Sequence, residues 1–150
     1  MSPSTAKTEF MAELAYEDPR GALDWLARVF GFQTRMVVSD AAGRLVFATT
    51  GLDGQEVAVV PEQAERLRSP RTLAGLNSQL VHVTLDEDIA AHYQRAAALG
   101  ARMLTDPQAF FFGRTYTVAD LEDHLWTFRQ HSDERRPLPE GWSVDFPNGR

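Results

Sequence analysis

Apolar and polar positions alternate along the first part of the chain in a pattern that predicts one strand, one helix and three further strands. Residues 9–16 alternate with a period of two, as expected of a half-buried strand. Asp18 and Pro19 then supply a helix N-cap and first helical position, apolar residues follow at helical spacing, and Gly31 ends the helix. Strand patterns separated by turn-forming residues follow at 32–39, 44–50 and 55–60.

The same order of elements recurs in the second half. A strand pattern at 79–85 leads through acidic residues into a helix at 89–99, which Gly100 ends. On this helix we expect His92 to be a solvated residue. A strand at 101–104, an aromatic hairpin over 109–118 and a last strand at 124–130 complete this half.

These patterns predict an α+β fold of two tandem β-α-β-β-β modules, whose curved mixed sheets surround a cleft. The repeat is offset by 71 residues, so that Met11 corresponds to His82 and Glu56 to Thr127. The single domain at 1–150 divides into module one at 9–60, a connector at 61–78, module two at 79–131 and a C-terminal tail at 132–150.

Composition is consistent with one cytoplasmic domain. A chain of 150 residues buries roughly 68–70% of its unfolded surface. It contains no cysteine, no basic-then-apolar leader and no apolar run that approaches the roughly 20 residues of a membrane span. The net charge of −6 and the scattered basic residues argue against a nucleic-acid partner. Trp142 and Phe146 indicate that the tail docks, either on its own body or on a partner subunit.

Strand alternation also predicts which side chains face the cleft. In strand 79–85 the apolar residues pack under a helix, which leaves His82 and Thr84 on the opposite face. Trp126 and Phe128 take the packed side of the last strand in the same way. By this logic the cleft face carries Met11, Glu13, Glu56, His82, Thr84, Thr127 and Arg129.

Three stretches of the chain are similar to one protein family. They are residues 14–32 (LAYEDPRGALDWLARVFGF), 82–101 (HVTLDEDIAAHYQRAAALGA) and 112–128 (FGRTYTVADLEDHLWTF). In these the chain resembles the vicinal oxygen chelate superfamily, which includes glyoxalase I, extradiol dioxygenases and bleomycin-resistance proteins. It is most similar to the small glyoxalase-like and bleomycin-resistance-like members. The D-P-x-G turn usual before the last strand is replaced here by residues 120–123 (DLED).

The resemblance implies a possible metal site, because metal-dependent members hold an ion with four inward-facing side chains. The matching positions are Met11, Glu56, His82 and Thr127. A thioether and a hydroxyl are poor ligands for Zn, Ni, Mn or Fe(II), although Glu13 is a conceivable third ligand. We therefore predict no metal and no other cofactor, with a divalent ion at His82 and Glu56 as the less favoured alternative.

His82 is the first candidate for chemistry, because an imidazole can act as base, acid or hydrogen-bond donor to a ligand. The alternative is that His82 is a histidine retained from the family pattern and serves only as a hydrogen-bond partner of Glu56. Either interpretation predicts that the two side chains are close enough to share a hydrogen bond or one bridging water.

Aromatic and basic residues near the last strands give further candidates. Phe110 and Phe112 are expected to line the mouth of the pocket, to pack against the partner module, or both. Arg114 and Arg129 could receive an anionic ligand group, or form salt bridges to carboxylates such as Glu13 or Glu122.

The functional hypothesis is metal-independent binding and sequestration of a hydrophobic or aromatic small molecule, with an antibiotic as one candidate. The alternative is an enzyme: a glyoxalase-like lyase, a dioxygenase, or a metal-free isomerase that acts through His82 and Glu56. Relatives usually form homodimers with clefts near the interface, so we expect a homodimer, with a small-molecule ligand and no membrane or nucleic-acid partner.

Overall fold

A computed structural model describes residues 7–111, 113–131 and 137–149, with Phe110 given by its backbone alone. Module one consists of β1 (Glu13–Tyr16), α1 (Pro19–Phe30), β2 (Gln33–Ser39), β3 (Leu45–Leu52) and β4 (Gln55–Pro61). The connector contains a 3₁₀ helix at Pro70–Leu73. Module two consists of β5 (Val81–Leu85), α2 (Ile89–Ala98), β6 (Arg102–Met103), β7 (Gln108–Phe110), β8 (Gly113–Ala119) and β9 (Leu125–Gln130).

Each module forms its own mixed sheet. The first sheet has four strands in the order β1-β4-β3-β2, and the second has the order β5-β9-β8-β6 with β7 paired to β8. The first and last strands of each module are parallel neighbours, whereas the other pairs are antiparallel. The predicted α+β class is confirmed, and neither sheet closes into a barrel.

The two helices begin where their capping residues predict. The Asp18 carboxylate accepts a hydrogen bond from the Gly21 amide at 3.1 Å, and Gly31 ends α1 in the left-handed conformation at φ 77°. The Asp88 carboxylate accepts from the Ala90 amide at 3.1 Å at the start of α2. Among the described residues, no helix is both long and apolar enough to cross a membrane.

Both helices lie between the two sheets, and one hydrophobic core serves both modules. The ring of Phe30 in α1 lies 5.7 Å from that of Trp126 and 4.8 Å from that of Phe128, both in β9. Each sheet therefore has an inner face on this shared core and an open face that points away from it. Alternation places Met11, Glu13 and Glu56 on the open face of the first sheet.

His92 of α2 is buried, with 1% of its surface exposed, so the prediction of a solvated residue is wrong. Its Nδ1 forms a hydrogen bond of 2.5 Å with the hydroxyl of Tyr116, and its ring lies 4.4 Å from that of Phe128. It shares the inner side of α2 with the buried Ile89 and Ala96. Burial lowers the pKa of His92 to about 4 and raises the pKa of Tyr116.

The turn before β9 forms without the proline and glycine of the family pattern. Asp123 adopts the left-handed conformation at φ 70°, which aspartate tolerates better than most residues. One carboxylate oxygen of Asp120 accepts from the amides of Glu122 and His124 at 3.0 and 3.1 Å and holds the turn. The Nε2 of His124 lies 2.6 Å from the carbonyl oxygen of Ala15, so this histidine links the turn to module one.

Glu122, in the same turn, joins module two to module one and to the connector. It is completely buried, and its carboxylate accepts hydrogen bonds from the amides of Glu17 at 2.7 Å and Asp18 at 3.0 Å. It also accepts one of 2.6 Å from the hydroxyl of Ser69. The guanidinium of Arg71 lies 3.6 Å away. We name this set of contacts the Glu122 junction.

A second buried carboxylate lies beside the Glu122 junction. Asp120 accepts from the hydroxyl of Tyr16 at 2.6 Å and from the indole of Trp126 at 3.0 Å. Burial raises the pKa of Asp120, although these hydrogen bonds oppose the shift. The contacts tie β1 of module one to the end of module two, which fixes how the two sheets face the shared core.

The tail contacts its own chain. The ring of Trp142 lies 5.5 Å from that of Phe111, yet 61% of Trp142 is exposed. Residues 132–136 of the predicted tail lie outside the described residues. Trp142 therefore docks against module two only in part.

Candidate functional site

A cleft of about 420 Å³ lies where β5 approaches the end of the β3–β4 hairpin. This volume is within the roughly 300–1,000 Å³ of small-molecule sites. Most of its walls are apolar, formed by Phe10, Ala12, Phe32, Leu52, Val57, Val81, Val83, Leu85 and Trp126. The polar residues that line it are Thr50, Asp53, Gln55, Glu56, His82 and Thr84. An apolar cleft with a few polar groups is the usual form of a site for an organic molecule.

Phe32 and Trp126 form part of this cleft, although the pattern of the last strand predicted only a packed position for Trp126. Both are buried, and their rings lie 5.4 Å apart in an edge-on arrangement. A residue can belong to a core and also line a cleft where the core opens between modules. The sequence carries no signal for this second role, because it depends on how the two modules are placed.

His82 and Thr84 are exposed residues of β5, whereas Val81 and Val83 between them pack against the shared core. The alternation predicted for this strand is therefore confirmed. Both residues line the cleft at the edge of the second sheet.

The open face of the second sheet continues from His82 and Thr84 across β9. His82 is paired with Thr127, and Thr84 with Arg129. The Arg129 guanidinium donates a hydrogen bond of 3.0 Å to the Thr84 hydroxyl rather than pairing with Glu13 or Glu122. The hydroxyls of Thr127 and Thr117 lie 2.8 Å apart. This face offers hydroxyl groups, an imidazole and a guanidinium side by side.

Glu56 lies on β4 and lines the cleft with one buried oxygen. The Nε of Arg35 is 3.8 Å from its Oε2, which is an ion pair but too long for a hydrogen bond. Oε2 is buried and has no hydrogen-bond partner. Within the described part of the chain, no direct hydrogen bond joins Glu56 to His82, although both line the same cleft. A bridging water between them stays a prediction.

Thr50 is a second unsatisfied polar residue of the cleft, and no pattern in the sequence predicts this role. It is completely buried, and its hydroxyl has no hydrogen-bond partner. It is the neighbour of Val57 across the β3–β4 hairpin. A threonine within an alternating strand gives no sign of this environment, because only tertiary packing decides whether its hydroxyl finds a partner.

Among the predicted site residues whose side chains the structure describes, several do not line the cleft. Met11 is exposed, and Glu13 lines a separate recess beside the connector. Arg114 is exposed on β8. Phe112 lies outside the described residues, as does the side chain of Phe110. Of the eight predicted residues with described side chains, Glu56, His82 and Thr84 line the cleft.

The four positions that the family uses for a metal do not fit one here. Met11 offers a thioether, and the hydroxyl of Thr127 is already engaged by Thr117. Only Glu56 and His82 carry suitable donors. In the parts of the chain that the structure describes, no three His, Asp or Glu side chains are grouped so that they could hold a metal ion.

The fold and the sequence together define the class of protein. Residues 10–128 match the family model described as the Glyoxalase/Bleomycin resistance protein/Dioxygenase superfamily, and the chain belongs to this family. No functionally curated protein gives a significant match to the sequence.

Several solved structures are similar to this chain. TioX from Micromonospora sp. ML1 is 33% identical, with a TM-score of 0.64 over 86% of this chain and 100% of TioX. TnmS3, an antibiotic binding protein from Streptomyces sp. CB03234, is 16% identical, with a TM-score of 0.64 over 87% of this chain and 100% of TnmS3. FosX, a fosfomycin resistance protein from Listeria monocytogenes, is 14% identical, with a TM-score of 0.60 over 86% and 97% of the two chains. At these identities, TnmS3 and FosX share the fold alone.

Proposed function

We propose that the protein binds an apolar or aromatic small molecule in the cleft and sequesters it without a metal. The cleft itself carries this proposal, because its size and its mainly apolar walls suit an organic ligand. Glu56, His82 and Thr84 would orient the ligand through hydrogen bonds. The antibiotic-binding role of TnmS3 suggests an antibiotic as the ligand.

Catalysis by His82 and Glu56 is the alternative, and two features disfavour it. The pair shares no direct hydrogen bond, and the nearest charged partner of the Glu56 carboxylate is Arg35. A catalytic metal would need a third donor that Met11 and Thr127 do not supply. The binding role therefore needs fewer additional groups than an enzymatic one.

A ligand found by thermal shift in a panel of natural products should bind about tenfold more weakly to His82→Ala. The stability of this variant should change by no more than about 0.5 kcal/mol, because His82 is an exposed residue. Titration calorimetry with and without a chelator measures the affinity and the need for a metal. His131→Ala is the matched control, since His131 is exposed and lies outside the cleft. Binding that a chelator abolishes, or turnover of the ligand, would favour the enzyme.

The proposal includes a homodimer, because the two open faces point away from each other across the shared core. If a second copy placed its second sheet over the first sheet of this chain, the open faces of those two sheets would meet. Met11, Glu13 and Glu56 of one copy would then lie opposite the Thr127 and Arg129 positions of the other. The exposed strand β2 supports this arrangement, because all seven of its residues are exposed, three of them large and apolar.

Light scattering of the native protein should give about twice the chain mass of 16.8 kDa. Val38→Arg should shift the mass toward that of one chain, because a buried unpaired charge opposes association at β2. Leu99→Arg is the control, since Leu99 is exposed to a similar extent at the C-cap of α2, away from both open faces. A native mass of one chain, or dissociation by both variants alike, would contradict the dimer proposed through β2.

A further inference from the structure

We infer that the ligand of the cleft carries a protonated nitrogen on its apolar or aromatic scaffold, and that Glu56 receives this group. The inference rests on the proposed function and names the chemical class of the ligand. It depends on three features of the cleft: its unsatisfied carboxylate oxygen, the charges of its lining and its apolar walls.

Two oxygen atoms of the cleft lining are buried without a hydrogen-bond partner: Glu56 Oε2 and Thr50 Oγ1. Leaving such a group unsatisfied is unfavourable. A carboxylate oxygen only accepts hydrogen bonds, so the ligand that satisfies Glu56 must donate one. Thr50 is paired with the core residue Val57, so its hydroxyl lies on the opposite face of the sheet from the Glu56 carboxylate.

The charges of the lining favour a cationic donor over a neutral one. Glu56 and Asp53 both line the cleft, whereas none of its described lining residues is Lys or Arg. His82 is its one basic residue. Arg35 approaches Glu56 to 3.8 Å but leaves Oε2 without a hydrogen bond. The whole chain has a net charge of −6, which adds to the attraction for a cation.

The walls around the Glu56 carboxylate require the rest of the ligand to be apolar. Module one contributes Phe32 and Val57 to these walls, and module two contributes Val81, Val83 and Trp126. A small hydrophilic cation would leave these walls in contact with water. A planar aromatic amine satisfies both the walls and the Glu56 carboxylate.

Three acridines of nearly the same shape test the inference on the full-length protein. They are 9-aminoacridine, a cation at neutral pH; acridine, which is neutral; and acridine-9-carboxylate, an anion. Titration calorimetry should show that the cation binds about tenfold more tightly than acridine and that the anion binds least. Added salt should weaken the binding of the cation and leave that of acridine unchanged.

Two variants assign the preference to its residue. Glu56→Gln should reduce the affinity for 9-aminoacridine about tenfold, to that of acridine. Glu9→Gln is the matched control, because Glu9 is exposed beside the cleft residue Phe10 but does not line the cleft. It should leave the affinities for all three acridines unchanged. If Glu56→Gln fails to fold, the order of the three affinities and the salt dependence of the native protein decide.

The possible failures are distinct. Equal affinities for 9-aminoacridine and acridine, with no effect of Glu56→Gln, would overturn the cationic ligand and leave the proposed binding function in place. Tighter binding of acridine-9-carboxylate than of 9-aminoacridine would show that the cleft prefers an anion, which also overturns the cationic ligand. If none of the three binds, the cleft does not receive a planar organic molecule, and the proposed function fails with the inference.

Discussion

Replacing Glu122 by alanine should lower the free energy of unfolding by about 3 kcal/mol or more. The substitution leaves the amides of Glu17 and Asp18 and the hydroxyl of Ser69 without their acceptor. Each unsatisfied buried donor costs about 1–3 kcal/mol, and a side chain that is completely buried gives water little access to replace the carboxylate. Urea denaturation followed by tryptophan fluorescence measures the loss.

Two further substitutions separate the hydrogen bonds of the Glu122 junction from its charge and bulk. Glu122→Gln keeps the shape of the side chain but presents an amide nitrogen where backbone amides need an acceptor. We therefore expect its free energy of unfolding to lie between those of the native protein and Glu122→Ala. Glu65→Ala removes an exposed carboxylate of the connector and should cost no more than about 0.5 kcal/mol. A loss below about 1 kcal/mol for Glu122→Ala would show that the junction does not stabilise the fold.

Lowering the pH should destabilise the protein through His92. The unfolded chain binds a proton at this histidine near pH 6.5, whereas burial holds its pKa in the folded protein at about 4. The unfolded state therefore binds more protons between these two values, and stability falls as the pH falls through this range. The largest loss is about 3 kcal/mol, and it is complete below the lower value.

The variant His92→Phe isolates this effect. It keeps an aromatic ring beside Phe128 but removes the titrating group, so its stability should fall less than that of the native protein over the same range of pH. Asp120 acts in the opposite direction, because its raised pKa makes the folded state bind protons at low pH. Since Asp120 is present in both proteins, the difference between their urea unfolding curves reports His92. Parallel pH dependence of the two proteins would contradict the assignment.

Local signals in the sequence predicted most of the fold. Helix caps and strand alternation depend only on neighbouring residues, so they can be recognised without the tertiary structure. Asp18, Pro19 and Gly31 fixed the ends of α1, and the alternation in β5 placed His82 away from the core. The strand predicted at 9–16 is shorter in the structure, where β1 begins at Glu13. Residues 9–11 are all exposed, Phe10 to 97%, so the predicted alternation does not extend to them.

The sequence could not predict contacts that depend on how the modules meet. His92 has the polar character of a surface residue, yet the shared core covers its side of α2. Glu122 was expected near Arg114 or Arg129, but it lies against the first turn of α1 and beside Arg71. The hydroxyl of Thr50 is buried without a hydrogen-bond partner, which depends on tertiary packing and not on a local pattern. Each case involves residues far apart in the chain.

The shared core bears on how such a protein could have arisen from a shorter one. Phe30 of the first helix rests on β9, so the inner face of each sheet is covered partly by the other module. A chain of one module would leave that apolar surface in water, where it would associate with another chain. We therefore expect an ancestor with a single module to have functioned as a pair of chains. Gene duplication would then have joined two modules that already associated as separate polypeptides.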